Sequence, residues 1–322
     1  AREEILNVRR TAFLDQGLDP ALPITFVDGR SVFGSDFTGI QVWGIVPHDF
    51  EKMTVSTVSS SRGGPGRLWK GEDCRMLYLP FLEGSGPSGK LPGCATSQAE
   101  CMFANANTEL KANGFAYDQV VRTWIYLARI LDWYGEFNRV RTMHHTSVGI
   151  GRDLRISVFP ASTGIQGKCF KDEECFMDLL AIDSQKPGAV DIELIRHTSR
   201  QHQAFSYGSA FSRGVSLEME GRKTVFVSGT ASINTAGQTV HWDDAEAQCI
   251  ETLLNIAALL EDHGGGLENI CSAVVFCKNQ EVFDAYQRVA CLLGIPHFPT
   301  VYVLADVCRS ELLVEIEPVA II

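Results

Sequence analysis

The chain lacks any long hydrophobic run. No stretch approaches the ~20 apolar residues that a membrane helix needs, so no membrane partner is expected. The opening residues, AREEILNVRRTAFLDQ, have no apolar core of the signal-peptide kind. Positive charge is in short supply: 28 Lys and Arg stand against 39 Asp and Glu, a formal net charge of −11. Binding a phosphate backbone needs clustered Lys and Arg, so no nucleic-acid partner is expected either. A small anionic substrate is compatible with this charge, provided that local arginines hold it against the overall field.

Metal-ligand spacing is also missing. His144 and His145 are adjacent, with no third ligand at a suitable distance, and are expected on a helix surface. Cys271 and Cys277 are too far apart for a CxxC pair. No metal is therefore expected. The run HGGG at 263–266 follows a helical pattern instead of opening one, so it reads as a helix end and not an anion cradle. PASTG at 160–164 contains no nucleophile elbow. Ten cysteines with no export signal suggest a reducing cytoplasm. Cys74, Cys94, Cys101, Cys249, Cys271 and Cys291 fall in apolar-patterned segments and read mostly as small buried hydrophobes.

What is present is an ordinary globular composition, 45% hydrophobic and 21% charged, and a pattern that occurs twice. RMLYLPFLEG reads as a strand. Ser97 and Glu100 offer a capping box to a helix whose apolar face is Met102, Phe103, Ala106 and Leu110, ended by Gly114. DQVVRTWIYLARI is a strand and WYGEFNRVRTMHH a second helix. Downstream the order recurs: KTVFVSGTASI, a helix capped by Asp243 and Glu246, ENICSAVVFCK, and EVFDAYQRVACLLG. Tyr126 answers to Phe276 (276 − 126 = 150) and Phe137 to Tyr286 (286 − 137 = 149). A near-constant offset indicates an internal duplication. Each block reads strand, helix, strand, helix, strand, an α+β arrangement with helices packed on one face of a sheet. The expected units are an N-terminal extension at 1–40, a first domain at 41–200 and a second at 201–322.

The last strand, LLVEIEPVAII, places Glu315 and Glu317 on one face. Two readings of the pair stand: a solvent-facing side of a sheet, or a carboxyl aimed into a cavity.

The segments VFVSGTASINTAGQTVHWDDAEAQ, LLNIAALLEDHGGGLENI and LLVEIEPVAI resemble the RidA/YjgF superfamily, and the first block follows the same template in VRTWIYL and YGEFNRVR. Within it, the chain resembles the chorismatase family through RTWIYL, YGEFNRVR, PASTGI, SYGSAFSR, SGTAS and CRSELLVEIE. The resemblance implies two RidA-like domains, each a twisted mixed sheet with helices on one face. It also implies a cofactor-free enzyme that removes pyruvate from chorismate, a small dianion. Arg141 and Arg213 would hold its carboxylates bidentately, with Tyr134 and Tyr207 donating hydroxyl hydrogen bonds. Glu315 would be the general acid, its pKa raised by burial, while Glu317 would be structural or solvent-facing. Gly229 with Cys308 resembles the chorismatases that aromatise the ring to 3-hydroxybenzoate, as opposed to those that hydrolyse it. The alternatives are a chorismate hydrolase, a RidA-type imine deaminase and a non-catalytic ligand-binding module. For the deaminase, Arg309 stands about two positions from where the superfamily's carboxylate-binding arginine would align. Two RidA-like units in one chain are compatible with a monomer or a small homo-oligomer.

Overall fold

The computed structural model describes residues 2–34, 37–45, 51–151, 159–169, 171–219 and 221–322. The VDGRSVFGSD turn expected at 27–36 ends outside them. The chain opens with α1 (Arg2–Asp15) and the short β1 (Arg30–Ser31). The first unit runs β2 (Thr54–Val58), β3 (Gly66–Lys70), β4 (Cys74–Glu83), α2 (Ala95–Ala112), β5 (Val120–Leu127), α3 (Ile130–Ser147), β6 (Ala161–Gln166) and β7 (Cys175–Ser184). The second runs β8 (Val190–Ile195), β9 (Gly214–Met219), β10 (Arg222–Val227), β11 (Thr230–Ala231), α4 (Ala245–Glu261), β12 (Ile270–Cys277), α5 (Gln280–Leu292), β13 (Thr300–Leu304) and β14 (Val314–Ile321).

The two units build one topology twice. The first sheet has the order β2-β3-β4-β7-β5-β6 and the second β8-β9-β10-β14-β12-β13, with β1 added at the end and β11 beside β14. In each, the strand between the helices pairs parallel with the next strand and antiparallel with the last. The repeat therefore extends beyond the five elements legible in sequence, to strands on either side of them. β8 lies before residue 201 but pairs with β9 in the second sheet.

Side-chain alternation explains the layers. On β4, Leu77 and Leu79 face α2 and α3, where they meet Phe103 and Phe137. On β14, Val314 and Ile316 face α4 and α5, against Leu253, Ile256 and Val289. The opposite faces of the two sheets meet each other. There Met76, Val121, Ala161 and Leu180 pack on Val215, Phe226 and Val319. The order is helices, sheet, sheet, helices, so the central strands β4, β5, β7 and β14 are covered on both faces.

The caps differ from the expected ones. α2 begins at Ala95 with Cys94 as its cap, so Ser97 lies inside the first turn. α4 is capped one residue later than expected: Asp244 accepts from the Ala247 N–H at 2.9 Å, while Asp243 takes φ +58°. His145 is buried, not on a helix surface. Its ring lies 5.5 Å from Phe159 and 5.8 Å from Tyr117. Burial lowers the pKa of His144 to about 4 and that of His145 well below its ordinary value, so both stay neutral. Cys94, Cys271 and Cys291 are exposed rather than buried, because they fall on the outer sides of their elements; all ten thiols are free. No helix among the described residues is long and apolar enough to cross a membrane.

Candidate active site

The strand expected at KTVFVSGTASI is interrupted. β10 ends at Val227, and β11 resumes at Thr230 to pair with β14 across Thr230–Ile316 and Ala231–Glu315. The gap, Ser228 and Gly229, opens the second sheet where Glu315 points into the seam. A Cβ on Gly229 would lie 2.0 Å from Glu315 Oε1, 2.8 Å from its Cδ and 3.1 Å from Thr163 Cγ2. Only glycine leaves room for the carboxyl there.

A cavity of about 510 Å³, counted with its open mouth, lies over that gap. It is lined by all seven residues singled out in the sequence: Tyr134, Arg141, Tyr207, Arg213, Gly229, Cys308 and Glu315. They arrive from both units. Tyr134 and Arg141 stand on α3, seven residues and two turns apart on one face. Arg213 immediately precedes β9, and Cys308 lies between β13 and β14. The wall also contains Arg309, Ser162, Gly164, Ser209 and Phe211, which sequence reasoning did not place there. Arg309 offered a signal, as a cation six residues before Glu315, but its alignment pointed elsewhere.

Three cations border the cavity, and among the described residues none of them has an ion-pair partner. Arg141 is 2% exposed and donates from Nη2 to Asn138 Oδ1 at 2.5 Å, while its Nε has no partner. Arg213, equally buried, donates twice to the His202 carbonyl, at 3.0 and 2.7 Å. Arg309 donates to the Gly237 carbonyl and to Thr239 Oγ1. The Tyr207 ring stands between the Arg213 and Arg309 guanidiniums, 5.4 and 5.6 Å from them. A Cβ on Gly237 would come within 2.2 Å of that ring, so the glycine permits its position.

The titratable groups are set apart by burial. Glu315 is pushed up to about 8 by burial, then by the charge of Glu317, with Arg122 opposing. Its carboxyl is thus largely protonated near neutrality. Burial raises the Cys308 thiol to about 12 and raises the Tyr134 phenol well above its ordinary value, so both remain neutral donors. Glu317 is buried as well. It accepts from Trp124 Nε1 at 2.8 Å and forms an ion pair with Arg122 at 3.0 Å. The solvent-facing reading of the carboxylate pair is therefore wrong: the first sheet covers that face of β14. Among the described residues, no group of three or more His, Cys, Asp or Glu is arranged to hold a metal ion.

The arrangement supplies what an anionic substrate and a proton transfer both need. Buried guanidiniums without counter-charges favour an anion, and a protonated carboxyl beside them can act as an acid.

Residues 203–322 match the endoribonuclease L-PSP family. A 3-hydroxybenzoate synthase from Streptomyces hygroscopicus is 25% identical over 96% of both chains. A chorismatase from Streptomyces rapamycinicus is 29% identical over 63% of this chain and 64% of its own. A crystal structure of a chorismatase superposes with a TM-score of 0.59 at 22% identity, covering 82% of this chain and 78% of the other. Residues 203–322 therefore carry a RidA/YjgF-like (endoribonuclease L-PSP) domain, and the chain shares the fold of a chorismatase over 82% of its length.

Proposed function

We propose that this protein converts chorismate to 3-hydroxybenzoate and pyruvate, with Glu315 as the general acid. One observation carries the reading. A buried carboxyl that keeps its proton to about pH 8 shares a cavity with three arginines that have no counter-anion among the described residues. Chorismate matches that set, with two carboxylates and an enol ether that must be protonated on carbon. The likeness to proteins named 3-hydroxybenzoate synthase and chorismatase supports the substrate.

Arg141 and Arg213 hold the carboxylates, with Tyr134 and Tyr207 donating hydrogen bonds. Glu315 gives its proton to the enolpyruvyl methylene carbon, which becomes the methyl group of pyruvate. The neighbouring ring hydroxyl attacks the carbon that carries the ether, and that C–O bond breaks as pyruvate leaves. The hydroxyl proton returns to the Glu315 carboxylate. The resulting epoxide opens and the ring aromatises with no further gain or loss of atoms. Chorismate equals hydroxybenzoate plus pyruvate, so no water is consumed. Neutral Cys308 and the space beside Gly229 favour the ring hydroxyl over water as the nucleophile.

Glu315→Gln keeps the shape of the side chain and removes the transferable proton. Pyruvate release should slow by about 10²–10⁴-fold, while chorismate binding, measured by calorimetry, persists. Glu315→Gln with wild-type turnover would remove Glu315 from the chemistry. Pyruvate formed together with a dihydroxy-cyclohexadiene acid would mark a hydrolase instead.

A further inference from the structure

Beneath Glu315 runs a chain of buried polar side chains that do not themselves line the cavity. Arg122 on β5 is 1% exposed. Its Nη2 serves two acceptors, Glu317 Oε2 at 3.0 Å and Thr163 Oγ1 at 2.6 Å. Thr163 Oγ1 also accepts the backbone N–H of Gly229 at 3.0 Å. One guanidinium nitrogen thus joins the second β14 carboxylate to the glycine that makes room for the first. The N–H groups on Nε and Nη1 of Arg122 are buried and have no hydrogen-bond partner among the described residues. Unused donors on a buried cation are expensive to keep. Their use becomes apparent once charge moves.

At rest Glu315 is neutral, and Arg122 is neutralised by Glu317. Once Glu315 has given up its proton, a second carboxylate stands on the same strand face, two residues from Glu317. A lone anion buried there would hold its proton too tightly to act as an acid. We propose that Arg122 is a positioning residue for Glu315, held in place by Glu317 and Thr163 so that its uncommitted N–H groups, on Nε and Nη1, receive the carboxylate left by proton transfer. Arg122 keeps its own protons throughout; the Glu315 proton moves to the substrate carbon, and the ring hydroxyl later restores it. This inference rests on Glu315 being the proton donor.

The groups that act on Glu315 are few. Glu317 comes from its own strand and Arg122 from β5. Tyr134 on α3 and Cys308 ahead of β14 interact with it and remain protonated. Arg141 acts on both of those, and Tyr126 acts on Arg122.

The two members of the Arg122–Glu317 pair should then have opposite effects on one quantity. Glu317→Gln removes the like charge and leaves Arg122 to Glu315, so the alkaline limb of the kcat–pH profile should move to lower pH by about 1–3 units. Arg122→Gln should move it to higher pH and lower the plateau, and Arg122→Lys should bring the limb back towards wild type. A pair that only stabilises the fold would lower activity in both variants with the limb unmoved. The titration of Glu315 is also followed without substrate, through the infrared carboxyl band of the protonated acid, identified by its loss in Glu315→Gln. If Arg122→Gln fails to fold, the band in Glu317→Gln decides alone. Titration of that band at the wild-type pH overturns the inference. Should the wild type not turn over chorismate, the proposed function fails, yet the band still tests the link between these three residues.

Discussion

Adding one methyl group at Gly229 tests whether the position of the Glu315 carboxyl sets the rate. The glycine does not adopt a left-handed backbone conformation, so Gly229→Ala introduces no backbone strain and acts through space alone. The new Cβ would lie 2.0 Å from Glu315 Oε1 and 2.8 Å from its Cδ. Ordinary contact requires the carboxyl to retreat by about 1 Å or more. Glu315 cannot swing freely, since β14 pairs with β11 on one side and β12 on the other. Overpacking of this kind costs about 1–3 kcal/mol. Misplacing a reacting group by that distance slows chemistry by about 10²-fold. The assay is pyruvate release from chorismate under saturation, with the melting temperature measured alongside. We expect kcat to fall by about 10²-fold in a protein that still folds, with KM changed far less because Arg141 and Arg213 are untouched. A folded Gly229→Ala variant with wild-type kcat would refute the reasoning. A variant that binds substrate poorly yet reacts normally would place Gly229 in recognition instead.

Arg141→Ala and Arg213→Ala should each weaken chorismate binding by roughly 2–5 kcal/mol, read by calorimetry; two variants with wild-type affinity would place the anion site elsewhere. Cys308→Ala should still release pyruvate but divert part of the ring product from 3-hydroxybenzoate to the hydrolysed dihydroxy acid, which one chromatographic run resolves. The wild-type rate should fall as pH rises through about 8, where Glu315 loses its proton. The same group affects stability. Its folded pKa lies above the ordinary 4.5, so it contributes stability that is complete below that value and lost as pH rises through about 8. Glu315→Gln removes this dependence, so its melting temperature should gain on the wild type across that window, and a constant difference would argue against a buried proton.

The helices and the repeat were legible because they rest on local periodicity. Met102, Phe103, Ala106 and Leu110 recur at helical spacing, and all four are buried. The face of β14 was not legible in the same way. Glu315 and Glu317 alternate with apolar residues just as a wet strand face does, and alternation cannot report that a second sheet lies on top. Arg122 was missed for the same reason: in RTWIYL it occupies a position that reads as solvent-facing, and its partner Glu317 is 195 residues away (317 − 122). His145 was misplaced because the packing of Phe103, Tyr117 and Phe159 around it is tertiary. The family resemblance, not the periodicity, singled out the seven cavity-lining residues, and their roles remain proposals for the variants to decide. Arg309 was discounted because sequence position and cavity position diverge across the turn before β14.

The repeated strand order has a consequence for how many substrates one chain can hold. The last strands of the two units are offset by 139 residues (314 − 175), and β10 is offset from β4 by 148, as Phe226 facing Val319 matches Tyr78 facing Leu180. On these offsets Glu315 corresponds to Phe176, Cys308 to Cys169, Glu317 to Asp178 and Gly229 to Phe81. The first unit thus has an aromatic ring where the second has a carboxyl, and another where the second has empty space. Phe81 and Phe176 lie 5.0 Å apart, Tyr126 stacks on Phe176 at 4.9 Å, and Cys169 completes the cluster. The N-terminal segment closes over it, with Thr25 donating to Asp178 at 2.7 Å and Asp28 bridging to Lys168. The first unit is filled with core side chains at the positions where the second has its cavity. A titration should therefore saturate at a single ligand per chain, and mutational tolerance should differ sharply between the twin positions: apolar bulk is needed at Phe81 and Phe176, room at Gly229 and a transferable proton at Glu315.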